Sequence, residues 1–212
     1  MERSSEAEAE HLTSAEYQRR HGRLPAIIGV HSGGCFHVLD PRVEEVRLGD
    51  IAHHLAFIGR YTGACSHLWS VGAHCLVVAD RILSAGGTAT EALQGLLHDA
   101  SEAYLVDIPR PFKPDVSIAG ETYYVVEERV QAAIHQALSV PYPAAPIVKT
   151  TDDGMVHDEV ANFFPPGFMW KRYSINRAKN NLHAMALLRP ETIAAAYVDR
   201  FETLYELAGR GV

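Results

Sequence analysis

Cysteine is scarce. Cys35, Cys65 and Cys75 are the three in 212 residues, and no C-x-x-C pair occurs. An odd number without paired spacing argues against a disulfide framework and against a thiolate zinc site. It fits a reducing compartment, so the expected location is the cytoplasm. No apolar run is long enough to span a bilayer, and the acidic stretch MERSSEAEAEH lacks the apolar core of a signal peptide. Positive charge is also in short supply: 19 Lys and Arg against 26 Asp and Glu leave a net charge of −7. That balance argues against a nucleic-acid polymer or an anionic membrane as the main partner. It leaves room for a small phosphorylated ligand, met by a local arginine or lysine cluster or by a metal. Apolar residues are plentiful at 47%, enough for one soluble globular domain with a sizeable core.

The chain divides into a tail, a small hairpin and a helical domain. Residues 1–22 are charged and rich in Ala and Ser, and read as a flexible tail. Residues 23–212 read as a single domain. In its segment 25–40, two short apolar runs flank His31-Ser32-Gly33-Gly34, a hairpin signal. Beyond it the pattern is helical. Asp50 is placed to cap IAHHLAFIGR, and Ser70 to cap VGAHCLVVADRIL. Gly86-Gly87 ends the second helix, and Thr88 or Thr90 starts another that runs through His98, Asp99 and Tyr104 until Pro109, Pro111 and Pro114 break it. A long helix follows over about 120–138, with Val126, Val130, Ile134 and Ala137 on one side. Further helices are predicted over about 148–164, 174–188 and 190–208, the last opening with Pro190. The fold class expected is all-α, a helical bundle with a small N-terminal β-hairpin.

The chemistry gathers around His98-Asp99. Val71, His74, Cys75, Val78 and Ile82 form one helical stripe, which turns His74 inward among apolar neighbours. Gly95, His98, Asp99 and Glu102 follow the spacing of one helix face, flanked by Leu93, Leu96, Leu97 and Ala100. An imidazole and two carboxylates on an otherwise apolar helix are costly to bury, and a cation offsets that cost. Gly95 would let another backbone approach closely. A further carboxylate downstream is offered by either Asp152 or Asp153, which helical spacing alone does not separate. Two imidazoles and two carboxylates can hold one divalent cation with positions open for water. The set His31, Cys35 and His37 is a weaker candidate for a second metal.

The stretches DIAHHLAFIGRYTG, SVGAHCLVVADRIL, ALQGLLHDASEAYLVDIPRPFK and VKTTDDGMVHDE, in this order over most of 40–160, resemble the HD-domain phosphohydrolases. Within them the chain is most similar to the 5′-deoxynucleotidase (YfbR-type) branch. HDASE followed by D-I-P-x-P-x-K is far more specific than a bare His-Asp pair. The resemblance implies an HD-type bundle holding one divalent transition metal (Mn, Co, Fe, Zn or Ni) through His74, His98, Asp99 and Asp152. It selects Asp152 because Val148-Lys149-Thr150-Thr151-Asp152 reproduces the pattern V-K-x-x-D. Glu159, two turns on, also fits the pattern. The resemblance makes Glu102 the catalytic carboxylate and Arg60 the phosphate contact, with Tyr61 near the sugar and Asp107 near the deoxyribose hydroxyl. Lys113, on the same proline-stiffened loop, is placed to meet phosphate oxygens, and Trp69 to stack on a base. One departure stands out: the first ligand is often set in V-x-E-H-S, whereas this chain has Val71-Gly72-Ala73-His74-Cys75.

What the resemblance implies is a metal-dependent nucleotide phosphohydrolase releasing phosphate from 5′-deoxynucleoside monophosphates. The alternatives are a deoxynucleoside triphosphate triphosphohydrolase of the dATP type and, from another class, a non-catalytic nucleotide or metal sensor. Self-association of the chain is left open by the sequence.

Overall fold

The computed structural model describes residues 26–165 and 182–209, with Arg19 and Gly22 besides. The expected tail over 1–22 lies outside these residues apart from those two, as does most of the helix expected over 174–188. The described chain is mostly helical, with two small antiparallel hairpins. The first pairs β1 (Ile27–Gly29) with β2 (Cys35–His37) in the register Ile27↔His37, Ile28↔Phe36, Gly29↔Cys35. The Gly33 backbone at φ +87° closes its turn. The second, β3 (Ser117–Ile118) with β4 (Glu121–Thr122), was not anticipated; it occupies the start of the helix expected from 120.

The helices are α1 (Leu48–Phe57), α2 (Val71–Ser84), α3 (Ala89–Leu97), the short α4 (Glu102–Leu105), α5 (Tyr123–Ala137), α6 (Pro146–Phe163), α7 (Leu182–Ala186) and α8 (Pro190–Leu207). Their starts follow local chemistry. Ser70 Oγ accepts from the Ala73 N–H at the head of α2. Thr88 and Glu91 form a reciprocal capping box at the head of α3. Pro146 and Pro190 occupy the first turns of α6 and α8. The expected cap at Asp50 is corrected. Asp50 sits inside α1, buried, and its carboxylate accepts from the Ser32 N–H (2.7 Å) and hydroxyl (2.9 Å), pinning the first hairpin to the bundle.

Helix α2 is the central strut. It packs against α3, α6, α1 and α8, and its stripe of Val71, His74, Cys75, Val78 and Ile82 is fully buried. Gly95 makes the α2–α3 contact possible: a Cβ there would lie 2.4 Å from Ile82 Cδ1 and 3.3 Å from Val78 Cγ1. Tyr197 of α8 donates to the Leu96 carbonyl at 2.6 Å and ties α8 to the end of α3.

The helix expected through Tyr104 is interrupted. α3 ends at Leu97, residues 98–101 form a tight turn with the bonds Ala100 N–H to Leu97 O and Glu102 N–H to Asp99 O, and α4 resumes for one turn. The cause lies on α5. The Gln131 amide donates to the Leu97 carbonyl at 2.5 Å and accepts from the Ser101 N–H at 2.9 Å, so one side chain brackets the turn. His135 Nε2 in turn accepts from Gln131 (3.1 Å), while its Nδ1 donates to the Pro141 carbonyl (3.1 Å).

Gln131→Ala orphans both backbone groups and is expected to cost about 1–3 kcal/mol of stability by urea unfolding. His135 carries a pKa lowered by burial, against partial opposition from backbone hydrogen bonds. A base whose folded pKa is depressed binds fewer protons than it does unfolded, so its contribution is complete above the ordinary imidazole range and is lost as pH falls through it. The wild type is therefore expected to lose more stability between pH 7 and pH 5 (values spanning an ordinary imidazole pKa of about 6.5) than His135→Gln, read by denaturant midpoints in the two buffers.

Candidate metal centre

Four electron-rich atoms converge where α2, the 98–101 turn and α6 meet. His74 Nε2 lies 3.2 Å from His98 Nε2, 3.1 Å from Asp152 Oδ1 and 3.8 Å from Asp99 Oδ2. His98 Nε2 lies 3.2 Å from Asp99 Oδ2 and 3.7 Å from Asp152 Oδ1. Ligands about 2.0–2.1 Å from one ion sit about 3–3.4 Å apart when neighbouring, so these separations suit a shared centre. His74, His98 and Asp99 form a compact group that could hold an ion, with Asp152 beside it.

The outer nitrogens decide what the inner ones offer. His74 Nδ1 donates to Glu159 Oε1 at 2.6 Å, and His98 Nδ1 donates to the Gly95 carbonyl at 2.7 Å. In its neutral form each ring therefore presents an Nε2 lone pair to the other and to two carboxylates. Such a cluster of acceptors needs a cation or extra protons between them. Its charges respond accordingly. Burial opposes charge on His98, yet Asp99, Cys75 and Asp152 outweigh it and raise the imidazole pKa well above its usual range. Burial likewise opposes charge on Asp99 and Asp152, and the two imidazoles outweigh it, with Arg60 adding to the effect on Asp99, so both carboxyls fall below theirs. Asp153 points elsewhere: it pairs with Lys149 (2.8 Å) and Arg110 (3.2 Å) at the surface, and only Asp152 joins the centre.

A cleft of about 580 Å³ opens beside the group, with Arg60, Glu102, Asp107, Arg110 and Lys113 in its walls. Arg60 begins the short helical turn Arg60–Gly63, beyond the end of α1 rather than within it, and reaches Asp99 at 3.2 Å and Glu159 at 3.5 Å. Among the described residues its Nε has no hydrogen-bond partner. Glu102 is buried in the first turn of α4. One of its oxygens lies 3.4 Å from Lys113 Nζ, and the other is buried without a partner among the described residues. Burial, Asp99 and Asp107 raise its pKa well above the usual carboxylate range. Burial also raises that of Asp107. Lys113 is held between Glu102 and Glu127 (2.7 Å), so it steadies Glu102 as well as lining the cleft.

The structure does not place Trp69 as a base-stacking residue. Its ring is buried against Phe163, with centroids 4.7 Å apart, and its indole N–H donates to Glu159 at 2.8 Å. Tyr61 does line the cleft, its hydroxyl donating to Glu159 and its ring set edge-on to Phe164 at 5.2 Å. Phe164, Gln131 and Glu127 escaped the sequence reading. Gln131 had a usable signal, since it adjoins the buried stripe of Val126, Val130 and Ile134. Glu159 supplies His74 with the carboxylate that the segment just before it lacks. The weaker second set is rearranged: Cys35 and His37 meet Glu45, while His31 stacks on His53 at 3.5 Å. His37 Nδ1 and Glu45 already satisfy one another at 2.6 Å, with Arg42 3.7 Å from the same carboxylate, which explains that cluster without an ion.

No helix among the described residues is long and apolar enough to cross a membrane. No family model matches the chain. It is similar to an uncharacterized protein of Rhodobacter capsulatus, 34% identical over 114 residues, which cover 52% of this chain and 57% of that protein. It is also similar to the uncharacterized protein YfdR of Escherichia coli, 28% identical over 186 residues, which cover 86% of this chain and 97% of that protein. The chain thus spans little more than half the length of the first of these relatives and nearly all of the second.

Proposed function

We propose that this chain is an HD-type, metal-dependent phosphohydrolase that hydrolyses nucleotides, with 5′-deoxynucleoside monophosphates as substrates and a deoxynucleoside and phosphate as products. The observation that carries the reading is the meeting of two imidazole lone pairs with Asp99 and Asp152, beside a buried Glu102 oxygen that has no partner among the described residues. His74, His98, Asp99 and Asp152 would hold a divalent cation. The chemistry such a cation supplies is polarisation of a phosphoryl oxygen and a lowered pKa for water at the open positions.

The remaining steps belong to the chain's own groups. Glu102 takes the proton of the attacking water on its free oxygen. Its raised pKa lets it keep that proton and pass it to the departing 5′ oxygen of the deoxyribose as the P–O bond breaks. Arg60, anchored through its terminal nitrogens, has Nε left to donate to a phosphate oxygen, and its charge opposes the negative charge that develops there. Asp107 on the cleft wall is an acceptor for a sugar hydroxyl. A second reading, release of triphosphate from a nucleoside triphosphate, is favoured by one feature. Three cationic side chains, Arg60, Arg110 and Lys113, line the same cleft.

A panel of deoxynucleoside mono- and triphosphates incubated with Mn²⁺-loaded protein separates these readings by product: phosphate, or triphosphate. A loaded protein that binds nucleotide but releases neither would mark a sensor instead. Asp99→Ala and Asp152→Asn are expected to lose Mn²⁺ and activity together, whereas Asp153→Asn keeps both. Glu102→Gln is expected to keep Mn²⁺ and lose about 10²–10⁴-fold in kcat. Activity is expected to fall with pH from above the ordinary imidazole range downward, because His98 is raised above that range and a protonated ring cannot act as a ligand. A flat rate across pH 7 to pH 5 (a window bracketing the ordinary imidazole pKa of about 6.5) would contradict the assigned ligands.

A further inference from the structure

Glu159 is fully buried, yet it stands outside the ligand set and the cleft. Its carboxylate accepts from four side chains. Oε1 takes the Trp69 indole N–H (2.8 Å) and the His74 Nδ1–H (2.6 Å), and Oε2 takes the Tyr61 hydroxyl and Arg60 Nη2 (3.5 Å). One oxygen thus faces the candidate ligand His74, and the other faces the residues on the cleft wall.

Each arm has a definite consequence. A neutral imidazole carries one proton, so the bond at Nδ1 leaves Nε2 as a lone pair. In the opposite tautomer His74 would carry an Nε2–H within 3.2 Å of both His98 Nε2 and Asp152 Oδ1, and that proton would occupy the place of the cation. The other arm restrains unusual backbone. Tyr61 (φ 57°) and Thr62 (φ 52°) are successive non-glycine residues in the left-handed region, in the turn that presents Arg60. Such a conformation persists where its surroundings over-determine it. The Tyr61 hydroxyl and the Arg60 guanidinium, both held by Glu159, do so here.

We infer that Glu159 is a positioning residue that fixes the His74 tautomer and the Arg60–Tyr61 turn together, so that cation affinity and phosphate affinity depend on one buried carboxylate. The inference rests on the proposed reading of the metal centre. It predicts that partners surrounding a ligand matter nearly as much as the ligand.

The test uses the full chain. In Glu159→Gln an amide replaces a carboxylate surrounded only by donors, so one arm must face an N–H₂ group. Mn²⁺ affinity, measured by competition with a chromophoric chelator, is expected to weaken by about 10–100-fold. Inorganic phosphate binding to the Mn²⁺-saturated variant weakens as well. Tyr61→Phe removes a single donor from the far arm, and is expected to weaken phosphate while leaving Mn²⁺ affinity at the wild-type value. ¹⁵N-histidine spectra of the metal-free wild type should show His74 protonated at Nδ1, its signal assigned by loss in His74→Gln. A folded Glu159→Gln with wild-type Mn²⁺ affinity would overturn the inference alone. If that variant does not fold, the wild-type spectrum decides, and a His74 ring with no proton on Nδ1 would overturn it. A wild type that takes up no Mn²⁺ would overturn the proposed function and this inference with it.

Discussion

The constraint on which the site depends is the concentration of acceptors at one buried point. Asp99, Asp152 and Glu159 surround two imidazoles, with His74 and Glu159 wholly withdrawn from solvent. A buried carboxylate is costly unless donors meet it. Glu159 meets that condition with four donors, and its pKa, which burial pushes up, is brought down to about 2 by Arg60, His74 and Tyr61. Asp99 and Asp152 are less well provided: they share the two imidazoles, Arg60 and the exposed Arg110. The inner atoms of the cluster therefore lack compensation that the outer atoms have. An uneven distribution of this kind is what a bound cation would even out.

The scaffold makes such a point affordable by distributing the ligands over elements that are independently fixed. His74 sits in the first turn of α2, where its neighbours along the stripe are core residues, so its ring has no freedom to swing outward. His98 and Asp99 sit in the turn between α3 and α4, bracketed by Gln131 from α5 and tied through Gly95 to α2. Asp152 lies two turns into α6, and Glu159 two turns further along the same helix, so α6 contributes both a candidate ligand and its support. Within the 98–101 turn His98 Nε2 and Asp99 Oδ2 lie 3.2 Å apart.

Features governed by near neighbours in the chain were legible in advance. The inward face of α2, the Ser70 and Thr88 caps, the proline start of α8 and the first hairpin all rest on chemistry within a few residues. The readings that failed depend on distant partners. Asp50 has the right position for a cap, but Ser32 captures its carboxylate from 18 residues away. The break at 98–101 is set by Gln131, whose amide competes for the backbone groups that would extend the helix. Trp69 precedes a helix near the cleft, so an exposed ring was a fair expectation. Its N–H is drawn inward by a carboxylate 90 residues on. The choice of Asp152 over Asp153 needed a family pattern, because adjacent residues on a helix are separated by packing and not by spacing.

The Arg60–Gly63 turn shows why support and function are hard to separate here. Two successive left-handed residues of ordinary type cost about 1–3 kcal/mol each, and Gly63 at φ 79° continues the same sense without that cost. A relaxed turn at this place would carry Arg60 away from Asp99 and Glu159, and the guanidinium would hydrate. Held as it is, Arg60 spends its terminal nitrogens on two carboxylates and keeps Nε in reserve, buried and without a partner among the described residues. A buried donor left idle is itself unfavourable by about 1–3 kcal/mol. Both costs fall on one short segment at the edge of the cleft, and an anionic oxygen within reach of that nitrogen would relieve the second of them.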